Sequence, residues 1–407
     1  MGVCPTRWTN RSARNGSRIC RRSTDTVLSD SALLGLGSSV NFLFLSTHAF
    51  LPTTRKTSVH FVSQALADRG HEVETISVGF SHLSYFKKRA IYSQLAAQQR
   101  NRFVQTDPRY RSACYLPLIH PFSSGNTLLN TLTAPFFKLY GTLLPRFMRE
   151  AIVKADVIAI ESGTAIVFLD AIRRANPGAR MVYFARDRLD TVGASEYLQR
   201  LERRIVPLFD RIVVPSSHMA EGFREAGKVV IIPQGIDKKG FDSCKDSPYP
   251  VGTRNGVAVG NMLFDRNAVM AMATHAPDVS FHLFGEGIPV DFPPNVRVYG
   301  ERAFNEIIPY IKFADFGLAP YRLKERELYL VESSLKLQQY SYCELPILAP
   351  DLMTNSRPNI VGYEQRHETD WAGKLNRAVT MLHLAAWKED ILSWDEVAAR
   401  FETEVKG

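Results

Sequence analysis

From Val40 onward the chain alternates short apolar runs with amphipathic segments, and it does so in two separate series. The first places strands over 40–45, 72–77, 157–160, 181–185, 212–215 and 229–232, with helical patterns such as 59–68, 195–206 and 219–226 between them. The second places strands over 257–259, 280–284, 296–299, 316–319 and 346–349, with helices over 266–276, 304–313 and 334–342. Uninterrupted apolar strands alternating with helices require parallel sheets covered on both faces. Between the series, 233–256 is polar, holds Pro, Gly, Asp and Lys without a period, and reads as a linker. The expectation is an α/β chain of two Rossmann-like domains, 39–235 and 236–380, with a helical tail over 381–407. Their strand ends should face each other across a cleft.

Composition narrows the partners. At 407 residues the chain is too long for one core, and 45% hydrophobic with 22% charged residues is ordinary for a folded soluble protein. Cys4, Cys20, Cys114, Cys244 and Cys343 are scattered, which suits a reducing compartment and gives no metal-ligand spacing. Within the +9 net charge, Arg7, Arg11, Arg14, Arg18, Arg21 and Arg22 stand against only Asp25 and Asp30 in a leader over 1–38. That leader has no hydrophobic period and reads as disordered or as an over-extended gene start. A signal peptide would need an unbroken apolar run, but Gly35, Gly37, Ser38, Ser39 and Asn41 interrupt it, so 40–45 reads as a buried first strand. No stretch reaches the ~20 apolar residues of a membrane span.

The remaining positive charge has no Arg/Lys stripe interleaved with aromatics and no zinc or helix-turn-helix signal, so no nucleic-acid partner is expected. An anionic membrane surface or a phosphorylated substrate fits it. The segment 128–148 is Leu-rich and carries Phe136, Phe137, Tyr140 and Phe147 beside Lys138, Arg146 and Arg149. It reads either as a helix packed on the sheet or as an interfacial helix on a membrane.

Several nucleotide-binding chemistries are absent. No G-x-G-x-x-G follows the first strand, and there is no phosphate-binding G-x-x-x-x-G-K-[ST], no H-E-x-x-H and no Asp-x-Asp metal clamp. A bound diphosphate is therefore expected to meet protein groups, with no obligatory metal. Such groups stand in Glu332-Ser333-Ser334-Leu335-Lys336, at the start of the expected helix 334–342. The helix dipole and unpaired amides favour an anion there, Ser333 and Ser334 add hydroxyls, and Lys336 adds a charge. Gln339 shares a helix face with Lys336. An ordinary serine cap with a surface lysine is the plainer alternative. Met262 and Tyr321 follow strands that end at the cleft and could sandwich a base, or simply pack in the core. Gly285-Glu286-Gly287 could bring backbone close to a ligand. Asp187 and Glu161 each follow a strand of the first series at equivalent positions, so either carboxylate could take a proton from an incoming hydroxyl. A turn or cap role is the alternative for Asp187.

Taken together, Glu161-Ser162-Gly163, Tyr183-Phe184-Ala185-Arg186-Asp187, Val259-Gly260-Asn261-Met262-Leu263-Phe264-Asp265, Tyr299-Gly300-Glu301, Ala319-Pro320-Tyr321 and Glu332-Ser333-Ser334-Leu335-Lys336-Leu337-Gln338-Gln339-Tyr340 resemble the GumK-like glucuronosyltransferases of xanthan assembly, glycosyltransferase family 70. The resemblance spans about 40–350 and implies the GT-B architecture and inverting, metal-independent transfer. It also implies a UDP-glucuronate donor, a polyisoprenyl-diphosphate-linked oligosaccharide acceptor, and peripheral attachment to the cytoplasmic face of the bacterial inner membrane. By the match of motifs it makes Asp187 the catalytic base and puts Met262, Glu301, Tyr321, Ser334, Lys336 and Gln339 at the donor. Lys336 would meet the diphosphate or the sugar carboxylate. His48 and Glu161 remain acceptor-side candidates. The family's Met is Leu335 here, its acidic residue before the serines is Glu332 in place of Asp, and the loop 49–54 beside His48 is a residue longer. A retaining GT-B hexosyltransferase would show Glu-x7-Glu, whereas Glu325 and Glu332 are separated by six residues. A UDP-sugar epimerase on the same scaffold is the alternative that needs no acceptor.

Overall fold

The computed structural model describes residues 39–54, 56–123, 127–224, 227–324, 327–365 and 369–406. The leader 1–38 and Glu325 of the Glu-x7-Glu comparison lie outside them.

The first half of the chain builds a sheet from β1 (Asn41–Ser46), β2 (Glu72–Ser77), β3 (Val104–Asp107), β4 (Tyr110–Cys114), β5 (Val157–Glu161), β6 (Arg180–Phe184), β7 (Arg211–Val214) and β8 (Val229–Ile231). Their order is β3-β4-β2-β1-β5-β6-β7-β8, all parallel except β3 against β4. The short β9 (Gly235–Ile236) follows. The second sheet holds β10 (Arg254–Val259), β11 (Val279–Phe284), β12 (Val296–Gly300), β13 (Phe316–Leu318), β14 (Ile347–Pro350) and β15 (Ile360–Tyr363), ordered β12-β11-β10-β13-β14-β15 and wholly parallel.

Strand β1 shows why the central strands read as unbroken apolar runs. Phe42 and Phe44 point to one face, where they meet Val59, Val62 and Phe401; Leu43 and Leu45 point to the other, among Ile76, Ile158 and Phe168. Both faces are buried, so both alternating sets must be apolar. In each sheet the strand order reverses beside the first strand, at β1/β5 and at β10/β13. A doubly wound sheet opens a crevice at that point, at the carboxyl ends of its strands.

Three expectations are corrected. The segment 233–256 is not a featureless linker: β9 pairs in parallel with β16 (Leu392–Ser393), and the helix Lys238–Ser243 follows, capped by the Asp237 carboxylate on Gly240 N at 2.9 Å. The 128–148 helix is two helices, Thr127–Thr142 and Arg146–Lys154. Pro145 separates them, because the residue before proline is driven out of the helical region. The helical pattern 219–226 shortens to Ser217–Glu221. The expected C-terminal helix is present as Trp394–Lys406. It lies on the first sheet, with Phe401 5.9 Å from Phe44 and 5.8 Å from Phe184, and Trp394 stacked on Phe61 at 4.8 Å. From Ser39 onward the chain is accordingly one unit in which two lobes share a core.

Candidate active site

On the first lobe, the loop after β1, the last residue of β5 and the loop after β6 bring His48, Glu161 and Asp187 to one rim. The His48 backbone is clamped from both sides: its amide donates to Ser46 Oγ at 3.0 Å, and its carbonyl accepts from Ser77 Oγ at 2.6 Å. The preceding Thr47 lies so close to Gly79 that a Cβ there would sit 2.4 Å from the Thr47 carbonyl oxygen. Any larger residue at 79 would push the loop away.

Glu161 is buried, at 4% exposure, and takes a hydrogen bond from Ser46 Oγ through Oε2. Its Oε1 lies 3.7 Å from His48 Nε2, and the His48 side chain is 45% exposed. Burial pushes the Glu161 carboxyl above its ordinary pKa, against the pull of His48 and the Ser46 hydrogen bond. Asp187 is half-buried and is likewise raised by burial, with Arg186 and His48 pulling it down. The structure therefore separates the two carboxylates that position alone left equivalent. Glu161 is held behind His48, and Asp187 keeps an open side.

Arg186 is a functional candidate that sequence reading passed over. It is 4% exposed, its guanidinium lies 4.7 Å over the Phe184 ring, and Nη1 donates to the Ile232 carbonyl at 3.4 Å. Nε and Nη2 find no hydrogen-bond partner among the described residues. Burial brings its pKa down to about 10, while Asp187 and Glu161 favour the charge. A buried cation beside two carboxylates keeps them from both turning neutral. The only signal in the sequence was an Arg-Asp pair after a strand, which says nothing about depth.

On the second lobe, the segments just after β10 and β13 meet the start of the helix Leu335–Tyr342. The loop after β10 is tied to the loop after β13 by Asp265 N to Pro320 O and Arg322 N to Leu263 O, both 2.7 Å. That tie sets Met262, 44% exposed, near buried Tyr321. Lys336 Nζ lies 4.5 Å over the Tyr321 ring, and it is the nearest atom to a Cβ built on Gly260, at 4.0 Å. Gly285 N donates to Gly300 O at 2.8 Å, which holds the 285–287 turn against the end of β12, just before exposed Glu301.

Ser334 takes the N-cap position of the helix, but its hydroxyl does not cap it. Instead Ser334 Oγ and Tyr321 OH share a hydrogen bond of 2.8 Å. The first intrahelical bond runs from Gln338 N to Ser334 O, so 335–337 form the opening turn of the helix. Ser333, Ser334 and Gln339 are buried beside them. The arrangement suits an anion at the helix start, with a tyrosine ring and a lysine ammonium in contact with each other. Among the described residues no three His, Cys, Asp or Glu side chains group as a metal site.

Two parallel α/β lobes with strand ends on a shared rim are the GT-B fold, and the chain is a glycosyltransferase of that architecture. Solved structures agree on the fold. Anabaena Alr3699/HepE, in complex with UDP and glucose, superposes with a TM-score of 0.62 at 14% identity, covering 90% of this chain and 99% of that one. The catalytic domain of starch synthase IV from Arabidopsis thaliana, bound to ADP and acarbose, gives 0.58 at 10% identity, covering 91% and 99%. Residues 44–215 match the family described as glucuronosyltransferase GumK, N-terminal domain. A UDP-glucuronate:glycolipid 2-beta-glucuronosyltransferase from Xanthomonas campestris pv. campestris is 32% identical over 334 residues, 79% of this chain and 80% of that protein. The chain belongs to the GumK glucuronosyltransferase family.

Proposed function

We propose that this chain transfers glucuronate from UDP-glucuronate to a polyisoprenyl-diphosphate-linked oligosaccharide, with inversion and without an obligatory metal. The observation that carries the reading is the 32% identity to the Xanthomonas glycolipid glucuronosyltransferase, which extends through both lobes. In this scheme UDP sits on the second lobe, with its base between Met262 and Tyr321. The diphosphate meets Ser333, Ser334 and Lys336, and Glu301 and Gln339 complete the donor site. The acceptor oxygen attacks the anomeric carbon from the side opposite UDP, and Asp187 takes its proton. Charge on the departing diphosphate is met by the helix start and Lys336. His48 and Glu161 line the acceptor side.

The acceptor's lipid places a membrane near the first lobe, and exposed apolar side chains support that. Leu132, Phe136, Leu139 and Leu143 line the outward face in and just after the helix Thr127–Thr142, while Phe137 and Tyr140 are buried beneath it. Leu83 and Phe86, at the cap of and within the short helix Ser84–Lys87 after β2, and Leu118 and Ile119, after β4, are exposed, and the two segments join through His82 N to Pro117 O at 3.1 Å. Lys88, Arg89 and Lys138 are exposed beside them. An apolar rim edged with cations fits an anionic bilayer surface, and no helix among the described residues is long and apolar enough to cross one. We place the chain as a peripheral protein at the cytoplasmic face of the bacterial inner membrane.

The test is product analysis with radiolabelled UDP-glucuronate, with and without a lipid-linked acceptor. Label should enter lipid only when the acceptor is present. Conversion of the UDP-sugar without acceptor would support an epimerase instead.

A further inference from the structure

Glu332 is the penultimate residue of the short helix Tyr329–Ser333 on the second lobe, directly before Ser333 and Ser334. Its carboxylate, however, reaches the first lobe. Oε2 accepts from Ser217 N at 2.6 Å, and Oε1 accepts from Ser217 Oγ at 2.6 Å and lies 3.2 Å from His218 Nδ1. Ser217 opens the helix Ser217–Glu221 after β7, and Ser216 already caps that helix through Met219 N at 3.2 Å. Glu332 thus takes up a first-turn amide that the helix's own cap leaves free. Burial would push its carboxyl up, but the Ser217 and His218 donors outweigh that and hold it below its ordinary pKa. On its own lobe, the Glu332 carbonyl accepts from Gln338 Nε2 at 3.1 Å, which ties the same residue to the helix Leu335–Tyr342.

We infer that Glu332 is a positioning residue, docking the donor wall of the second lobe onto the first and setting the gap the sugar crosses, given the donor site proposed above. One side chain is bonded to the acceptor lobe, and its backbone is bonded to the helix that carries Lys336. A displacement of either lobe by about 1.5 Å would stretch the 2.6 Å contacts beyond hydrogen-bond range. The clasp therefore holds only when the two walls stand at one separation.

Two variants break it from opposite sides. Glu332→Gln removes the charge and one acceptor. Ser217→Pro removes both Ser217 donors at a first helical position, where proline is tolerated, and the extended Ser216 before it suits a following proline. Each variant should lower kcat by about tenfold, the scale of a charge-assisted bond, while the donor KM stays within about twofold. Small-angle scattering should show a wider separation of the lobes in both, and the double variant should be no worse than either single one. Unchanged scattering with unchanged kcat, or losses that add in the double variant, would overturn the inference. The scattering arm uses no substrate, so a chain that failed to use UDP-glucuronate would sink the proposed function without deciding the clasp.

Discussion

His48 Nε2 stands 3.7 Å from Glu161 Oε1, on the same rim as Asp187. The exposed ring therefore stands in front of the buried Glu161 carboxylate. Glu161 is further committed to Ser46, which leaves Asp187 as the carboxylate with room for a substrate hydroxyl.

Asp187→Asn keeps the shape of the side chain but cannot accept a proton. Turnover should fall by roughly 100-fold or more while donor affinity barely moves. Glu161→Gln should cost less, since its contact with the acceptor would run through His48. Steady-state kinetics with both variants decides the assignment, and the reverse ranking would make Glu161 the base.

Burial raises Asp187 and Arg186 opposes that rise, which gives a pH dependence with a definite sign. The base works ionised, so kcat/KM should climb as pH rises through a pKa above the ordinary Asp value of about 3.9. In Arg186→Met the opposing charge is gone, and the acid limb should move to higher pH. A pH–rate profile that stays in place would remove Arg186 from the site's electrostatics.

Lys336→Ala should weaken UDP-glucuronate binding by about 1.5–3 kcal/mol, the range for a charge-assisted hydrogen bond. Titration calorimetry reads this directly. An unchanged dissociation constant would take Lys336 out of the donor site.

Two neighbouring phenylalanines should separate membrane binding from folding. Phe136 is 54% exposed and Phe137 is fully buried. Phe136→Ser should release the protein from anionic vesicles at unchanged melting temperature. Phe137→Ser should destabilise the fold by about 3–5 kcal/mol, as for other large core deletions. Vesicle sedimentation and thermal melts check the two arms, and full vesicle binding by Phe136→Ser would argue against this face as the membrane contact.

Stability should fall between pH 6.5 and 4. Burial brings His60 and His282 each from 6.5 down to about 4, so in that window the unfolded chain binds protons that the folded chain does not. Stability tracks pH upward wherever the unfolded state holds more protons. Each residue contributes up to about 3 kcal/mol, at about 1.4 kcal/mol per decade of proton affinity. Melting curves across the window test this, and a flat profile would contradict neutral buried imidazoles.

How much of this was legible in the sequence depended on whether the signal was local. Strand 72–77 was read at its observed bounds, and most central strands fell within a few residues, because burial on both faces forces an apolar run. The hairpin β3–β4 was missed: Gln105, Thr106 and Asp107 are exposed on the sheet edge and show no such run. The pairing of Gly235 with Leu392 was also invisible, since it joins two-residue strands from distant parts of the chain. Asp187 and Lys336 could be singled out because a strand end and a helix start mark themselves in sequence. Arg186, Ser46 and Glu332 could not, because their meaning lies in neighbours brought by the fold. Phe136 and Phe137 show the same limit within one helix: composition marked the segment, and only packing told the outward ring from the inward one.

Inverting glucuronosyl transfer is written into the anomeric configuration of the product. Nuclear magnetic resonance of the glycolipid formed from UDP-α-glucuronate should show a β-linked glucuronosyl residue, present with the intact chain and nearly absent with Asp187→Asn. An α-linked product would contradict single displacement and, with it, the role given to Asp187.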